Sequence, residues 1–346
     1  MGYHFEIKGQ IGVGGFGRVL AANLHDLAHS VSCAIKVICK KKQYGGFWSN
    51  GREGIFRELE VMAMADMRRM GFLNRLCMSW DDFEHVYYVM PLHKQDLGSW
   101  IYYNKSTPYF YERVPVITAQ LIHGLNQLWT LGFLHCDLKP QNILEDQTGH
   151  FIICDFGLAL PIIHGPTNRI GSTAYTPPEV LLDAYRDSRQ VQYTPASDIW
   201  SLGLVLLEMH LGIAEPYFAP CRTYTSRDIE RYVLEGEIDT RGVRDPDAAD
   251  LLQRMLRKRP EERLTMSEIL THPYLTKWSS SLALADHVQN DRSPSVGIPH
   301  LRPLPLECSA INSPHYSPAA VQEGLAKDIR DKHAFCYISR SLYSAC

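Results

Sequence analysis

Cysteine pairs at metal-binding or disulfide-scaffold spacing are absent from this chain of 346 residues. Its nine cysteines, at positions 33, 39, 77, 136, 154, 221, 308, 336 and 346, form no CxxC pair. That excludes a zinc ribbon or a disulfide framework and predicts reduced thiols in an intracellular protein. An excess of charge of one sign is also missing. The formal net charge is −3, so nothing demands nucleic acid or an anionic membrane as partner. No apolar run reaches the length of a bilayer span, and no membrane anchor is expected. The opening MGYHFEIKG has neither the basic nor the apolar region of a secretion signal. Glu6 stands where a myristoylation pattern starting at Gly2 wants Ser or Thr, and the final YSAC is not a prenylation box. These absences predict the cytoplasm, the nucleus or both.

What is present centres on Phe133–Gly157, FLHCDLKPQNILEDQTGHFIICDFG. Asp137, Lys139 and Asn142 share one short loop, and Asp155 follows about a dozen residues later. Two carboxylates, an amide and a lysine suit phosphoryl transfer from a metal-bound nucleotide. One carboxylate holds metal and the other orients the attacking hydroxyl. The amide completes the metal shell, and the lysine offsets charge on the migrating group. Each of the three oxygen-bearing residues is also an ordinary turn former, and the joint pattern carries the weight.

Upstream, residues 3–40 read as three strands joined by turns. Gly12, Gly14 and Gly17 give G-x-G-x-x-G across Gly12-Val13-Gly14-Gly15-Phe16-Gly17. Such a turn lets backbone N–H groups approach phosphates. A plain hairpin or a dinucleotide-binding turn has the same look. The latter wants a helix and then an acidic residue about twenty on. Here Val19 follows, and Lys36 stands in the β-rich run VSCAIKVIC. Arg52–Met67 reads as a helix carrying Glu58 and Glu60, with Phe56, Leu59, Met62, Ala63 and Met67 on one side. Residues 72–90 give two more strands. Residues 111–132 form an amphipathic helix with Ile117, Leu121, Leu125 and Leu128 inward and Gln120, His123 and Asn126 on its polar side. Residues 196–209 are apolar nearly all round, which marks a buried helix. Shorter helices are expected near 226–235, 247–257 and 265–271.

Taken in order, these motifs resemble the eukaryotic protein kinase family, and Asp-Leu-Lys-Pro at 137–140 resembles its Ser/Thr type. The resemblance implies an α+β, two-lobed kinase fold over 1–278. A small β-rich lobe would occupy about 1–90 and a larger helical lobe about 95–278. It implies ATP and Mg²⁺ as cofactors and a protein substrate. By resemblance Asp137 is the catalytic base, Lys139 its partner, and Asn142 and Asp155 the Mg²⁺ ligands. Lys36 pairs with Glu58 and meets the phosphates, while Glu60 is left as a solvated charge. Gly12 to Gly17, Val19, Ala34, Met90 and Leu92 surround ATP. Asp96 contacts the ribose or caps the helix starting at Leu97, and both readings stay open. IGSTAYTPPE is similar to the family's activation-segment end. It places Ser172, with Thr173 beside it, near Asp137 and Lys139. Glu179 is expected to pair with Arg263, and Asp198 to cap the loop backbone, both as structure. A pseudokinase that binds nucleotide without turnover is the alternative.

One departure stands out. Cys136 occupies the place of the arginine that normally meets an activation-segment phosphate. A thiol cannot make that charge-assisted bond, which implies little dependence on loop phosphorylation. Gln141 stands where several kinases that prefer basic substrates carry glutamate. Residues 279–346 are rich in Ser and Pro, including Ser293-Pro294, Ser313-Pro314 and Ser317-Pro318, and read as a largely disordered tail. Val321, Leu325 and Ile329 predict one helix in it, over 318–333.

Overall fold

A run such as VSCAIKVIC is too evenly apolar for a strand with one wet face, and the computed structural model buries it on both. The structure describes residues 4–14, 17–25, 29–40, 51–218, 224–279 and 337–338. Strands β1 (His4–Gly14), β2 (Gly17–His25) and β3 (Ser30–Cys39) form an antiparallel meander. Residues Cys33–Ile38 of β3 are all buried, Lys36 among them. Helix α1 (Gly51–Met67) follows, then β4 (Met78–Asp81) and β5 (His85–Pro91). Glu60 on α1 is half-buried rather than solvated, because this helix is covered on more sides than its expected apolar stripe. Tyr88 of β5 is fully buried, and its hydroxyl donates to the Ile55 carbonyl of α1 at 2.7 Å.

The sheet of this first unit has the order β1-β2-β3-β5-β4-β11, where β11 is Tyr337–Ile338. A strand in the tail was not legible from its composition. It exists through backbone pairing to the outer side of β4, which Ser- and Pro-rich flanks do not report. The predicted helix over 318–333 and the loop over 41–50 lie outside the described residues.

Glycine is obligatory at the start of β2. Gly17 has φ 154°, and a Cβ there would lie 2.1 Å from the Val37 carbonyl oxygen of β3. A Cβ at Gly14 would meet nothing, and one at Gly12 only Val19 at 3.7 Å.

The second unit, Met70–Leu73 with His93–Asp291, is mainly helical. Strand β6 (Gln95–Asp96) leads into α2 (Leu97–Asn104), and α3 spans Pro108–Thr130. Proline at position 108 suits the first turn, where a missing N–H costs nothing, so α3 begins before its expected start. Ile117, Leu121, Leu125 and Leu128 are fully buried, as their spacing requires. Gln120 departs from the expected polar face. It is fully buried, and its side-chain oxygen accepts from Phe151 N at 3.0 Å. Strands β7 (Phe133–Leu134), β8 (Ile143–Glu145), β9 (Phe151–Ile153) and β10 (Leu160–Pro161) pair as β6-β8-β9 and β7-β10.

Helices α4 (Pro178–Arg186), α5 (Pro195–Leu211), α6 (Ser226–Glu235), α7 (Pro246–Met255), α8 (Met266–Leu270) and α9 (Pro273–Ser279) complete the unit. Every residue of α5 from Ser197 to His210 is buried. Arg263, with no exposed side-chain surface, forks onto both oxygens of Glu179 at 2.7 and 2.6 Å. It also donates to the carbonyls of Ala196, Arg257 and Lys258. Arg263→Ala strands a half-buried carboxylate and three carbonyls, with an expected loss of ~3 kcal/mol. Arg263→Lys recovers only part, because an ammonium lacks the planar fork. Urea unfolding with an unchanged m-value checks both.

Candidate functional site

The loop after β7 is held from below by one carboxylate. Asp198, in the first turn of α5, is 1% exposed. Its Oδ2 accepts from His135 N at 2.8 Å and Trp129 Nε1 at 3.1 Å, and its Oδ1 from Cys136 N at 3.0 Å. Burial pushes the Asp198 carboxyl upward, opposed by nearby His135 and these donors. Cys136 thereby sits at φ 64°, a left-handed conformation uncommon outside glycine. The fully buried His135 ring then joins two segments. Its Nδ1 accepts from Asp137 N at 3.2 Å, and its Nε2–H donates to the Cys154 carbonyl at 3.0 Å.

Asp137 is 7% exposed and is the meeting point. Its Oδ2 accepts from Lys139 Nζ at 2.6 Å and Asn142 Nδ2 at 3.2 Å. Its Oδ1 accepts from Ser172 N at 2.8 Å. Lys139 Nζ also donates to Ser172 Oγ at 2.9 Å, so Ser172 reaches Asp137 through its backbone and Lys139 through its hydroxyl. Asn142 lies in a 3₁₀ turn, Pro140–Asn142. Its amide nitrogen is committed to the Asp137 carbonyl at 2.8 Å as well as the carboxylate. Cys154 N donates to Asn142 O at 2.9 Å, which sets Asp155 one residue beyond that bond, at φ 63°. Asp137, Lys139, Asn142 and Ser172 are thus in direct contact, with Asp155 adjoining.

In the first unit, Lys36 Nζ donates to Glu58 Oε1 at 2.6 Å, and both residues are buried. Val19 pairs with Lys36, and Ala34 with Met90. Gly12 and Val13 lie opposite Val19 and Arg18, and Gly14 pairs with Gly17. Gly15 and Phe16 lie outside the described residues. Met90 Sδ accepts from Asn74 Nδ2 at 3.2 Å, and Leu92 ends this unit. Asp96 is the N-cap of α2, and its two oxygens accept from Ser99 N at 3.0 Å and Ser99 Oγ at 2.7 Å.

A family model described as Protein kinase domain matches residues 5–275. The chain belongs to the protein kinase family. Its curated relatives are of the serine/threonine type. It is 28% identical over 275 residues to serine/threonine-protein kinase sck2 of Schizosaccharomyces pombe, covering 76% of this chain and 40% of that protein. It is 29% identical over 279 residues to calcium-dependent protein kinase 5 of Oryza sativa subsp. japonica, covering 79% and 47%. With mitogen-activated protein kinase 12 of Mus musculus it shares 29% over 297 residues, 76% of each. The chain therefore spans less than half of the first two relatives and about three quarters of the third. This is a protein kinase domain, and among its described residues no helix is long and apolar enough to cross a membrane.

Several contacts of the kinase's activation segment escaped the sequence reading. Tyr193 hydroxyl accepts from Ile170 N at 2.8 Å and donates to Ile170 O at 2.7 Å. Thr167 and Val191 exchange backbone bonds at 2.9 and 3.0 Å. Arg169 donates to Glu230 at 2.5 Å and to Thr173 Oγ1 at 2.9 Å, while Tyr185 hydroxyl donates to the other Glu230 oxygen at 2.6 Å. Gly171, at φ 85°, lets the segment press on the loop, since a Cβ would lie 2.5 Å from the Cys136 carbonyl oxygen. Only the tyrosine just before the α5 start, Tyr193, left a signal in the sequence, an aromatic beside a helix cap.

Beneath the segment, Tyr175 hydroxyl donates to Glu208 Oε2 at 3.0 Å and Tyr217 N to Oε1 at 2.8 Å. Burial pushes the Glu208 carboxyl up to about 8 from an ordinary 4.5. The fold therefore favours its protonated form, and that stability is complete below about pH 4.5 and lost as pH rises to about 8. Glu208→Gln, neutral throughout, is expected to flatten this slope by a few kcal/mol, on the order set by linkage. Unfolding free energies of both proteins from pH 5 to 8 give the comparison.

Proposed function

We propose that this chain transfers the γ-phosphoryl group of ATP to Ser or Thr hydroxyls of protein substrates. The observation that carries the reading is the Asp137 carboxylate, fixed by Lys139, Asn142 and Ser172 N–H. A buried carboxylate so held can orient a substrate hydroxyl and accept its proton as the bond to phosphorus forms. Lys139 lies 2.6 Å away, where its charge offsets that of the migrating phosphoryl oxygens. Lys36, held by Glu58, meets the α- and β-phosphates. The open space beside Gly12 and Gly14 supports close backbone approach there.

The donor set suits Mg²⁺. Asn142 commits its amide nitrogen to Asp137, which leaves its Oδ1 for a cation, and Asp155 adds a carboxylate. Among the described residues no three His, Cys, Asp or Glu converge as a metal cage. Two protein oxygens with phosphate and water completing the shell is the arrangement Mg²⁺ favours. Bound there, the ion neutralises charge on the phosphate oxygens.

The pins on the activation segment support a domain whose segment needs no phosphate. Tyr193, Gly171 and the Arg169–Glu230 pair already tie it to the loop and to α6. Phosphatase treatment is expected to leave activity within about twofold, because no arginine precedes Asp137 to read a phosphate. Abolished activity would overturn this.

Asp137→Asn is expected to keep Mg-ATP affinity and lower turnover by ~10²–10⁴-fold. Asp155→Ala is expected to weaken Mg-ATP binding as well. Transfer of labelled phosphate to a generic basic protein, beside calorimetric ATP binding, reads both. A chain that binds Mg-ATP, labels nothing, and is indifferent to Asp155→Ala would be a scaffold instead.

A further inference from the structure

The register of the first unit's sheet places one continuous row of residues across all six strands. Gly12 pairs with Val19, Val19 with Lys36, Lys36 with Tyr88, Tyr88 with Ser79, and Ser79 with Tyr337 of the tail. Paired residues of a row share a face of the sheet. On this face Lys36 reaches Glu58 and Tyr88 reaches the Ile55 carbonyl, both on α1. Ser79, between Tyr88 and the tail, is 0% exposed.

The inner side of β4 is secured by its hairpin with β5. Asp82 at the tip accepts from Glu84 N, His85 N and Tyr87 Oη. Trp80 stacks on Tyr87 with ring centroids 5.0 Å apart. Among the described residues the outer side of β4 pairs with the two residues of β11. A strand paired on one side presents a ladder of backbone groups to any extended segment. Main-chain pairing of this kind is how sheet edges recruit peptides.

We propose that the outer edge of β4 is a docking site for an extended segment and that its occupant is this chain's own tail around Tyr337–Ile338. Occupancy holds the row through Ser79 and Tyr88 to Lys36 in register. Two paired residues bind weakly alone, and the tether makes them effective. Belonging to the same chain raises the segment's effective concentration at the edge above that of a free peptide. A strand held this way is exchangeable, and a partner offering an extended segment competes for the same edge.

Hydrogen exchange of the full chain tests this. Tyr337→Pro removes the ladder donor opposite Ser79, and a second variant ends at residue 330. Both are expected to speed exchange of the Met78–Asp81 amides about tenfold or more, with α5 amides unchanged. A peptide of residues 331–346 added in trans is expected to restore protection to the shortened chain. Unchanged exchange in both variants overturns the proposal. Protection in the full chain that rises with protein concentration, together with a dimer in sedimentation, overturns the cis occupant and assigns the edge to a second copy's tail. A weaker apparent affinity for ATP in both variants, restored by the same peptide, is the consequence at Lys36. That readout rests on the nucleotide role of Lys36, whereas exchange at β4 does not, so the two failures are distinguishable.

Discussion

The loop that carries Asp137 hangs on the Asp198 carboxylate. It is buried in the one helix that is covered along nearly its whole length, so its position is set by core packing. From there it gathers two successive backbone N–H groups and an indole N–H. A non-glycine residue in the left-handed region costs of order 1–3 kcal/mol. Charge-assisted bonds to Asp198 offset that cost at Cys136 and give the backbone its reversal. Asp137 then projects toward Lys139, Asn142 and Ser172, and His135 carries the same constraint to Cys154.

The activation segment follows the same logic with different chemistry. On the proposed reading Cys136 stands where an arginine would meet a phosphate, and the segment is held by contacts of its own. A tyrosine hydroxyl that both donates and accepts locks Ile170, and a missing Cβ at Gly171 allows backbone-to-backbone contact. The Arg169 guanidinium is turned to Glu230 of α6.

Much of this was legible in the sequence because it is local or periodic. The strand pattern, the buried character of residues 196–209 and the loop residues each rest on spacing within a few turns of chain. The partner assignments for Glu58 and Arg263 came instead from the resemblance to the kinase family. What escaped was pairing between distant segments with no fixed spacing: Tyr193 with Ile170, Glu230 with Arg169, and Gln120 with the backbone of Phe151. A glutamine on a helix reads as polar surface, and only the third dimension shows a strand end that needs its oxygen. Asp96 illustrates the opposite case, since Ser99 three residues on already pointed to the capping geometry that the structure shows. Residues 337–338 were illegible for a further reason: a β-ladder is specified by its partner's open edge as much as by its own side chains.

The glycine hairpin joins two unlike constraints in one motif. At Gly17 the neighbouring strand forbids a side chain, because the Val37 carbonyl fills that space. At Gly12 and Gly14 the protein itself would admit a methyl group. The third glycine is therefore a property of the sheet, while no described neighbour in the sheet requires the first two. Drift at positions 12 and 14 would leave the strands in register, whereas drift at 17 would unpick the sheet first.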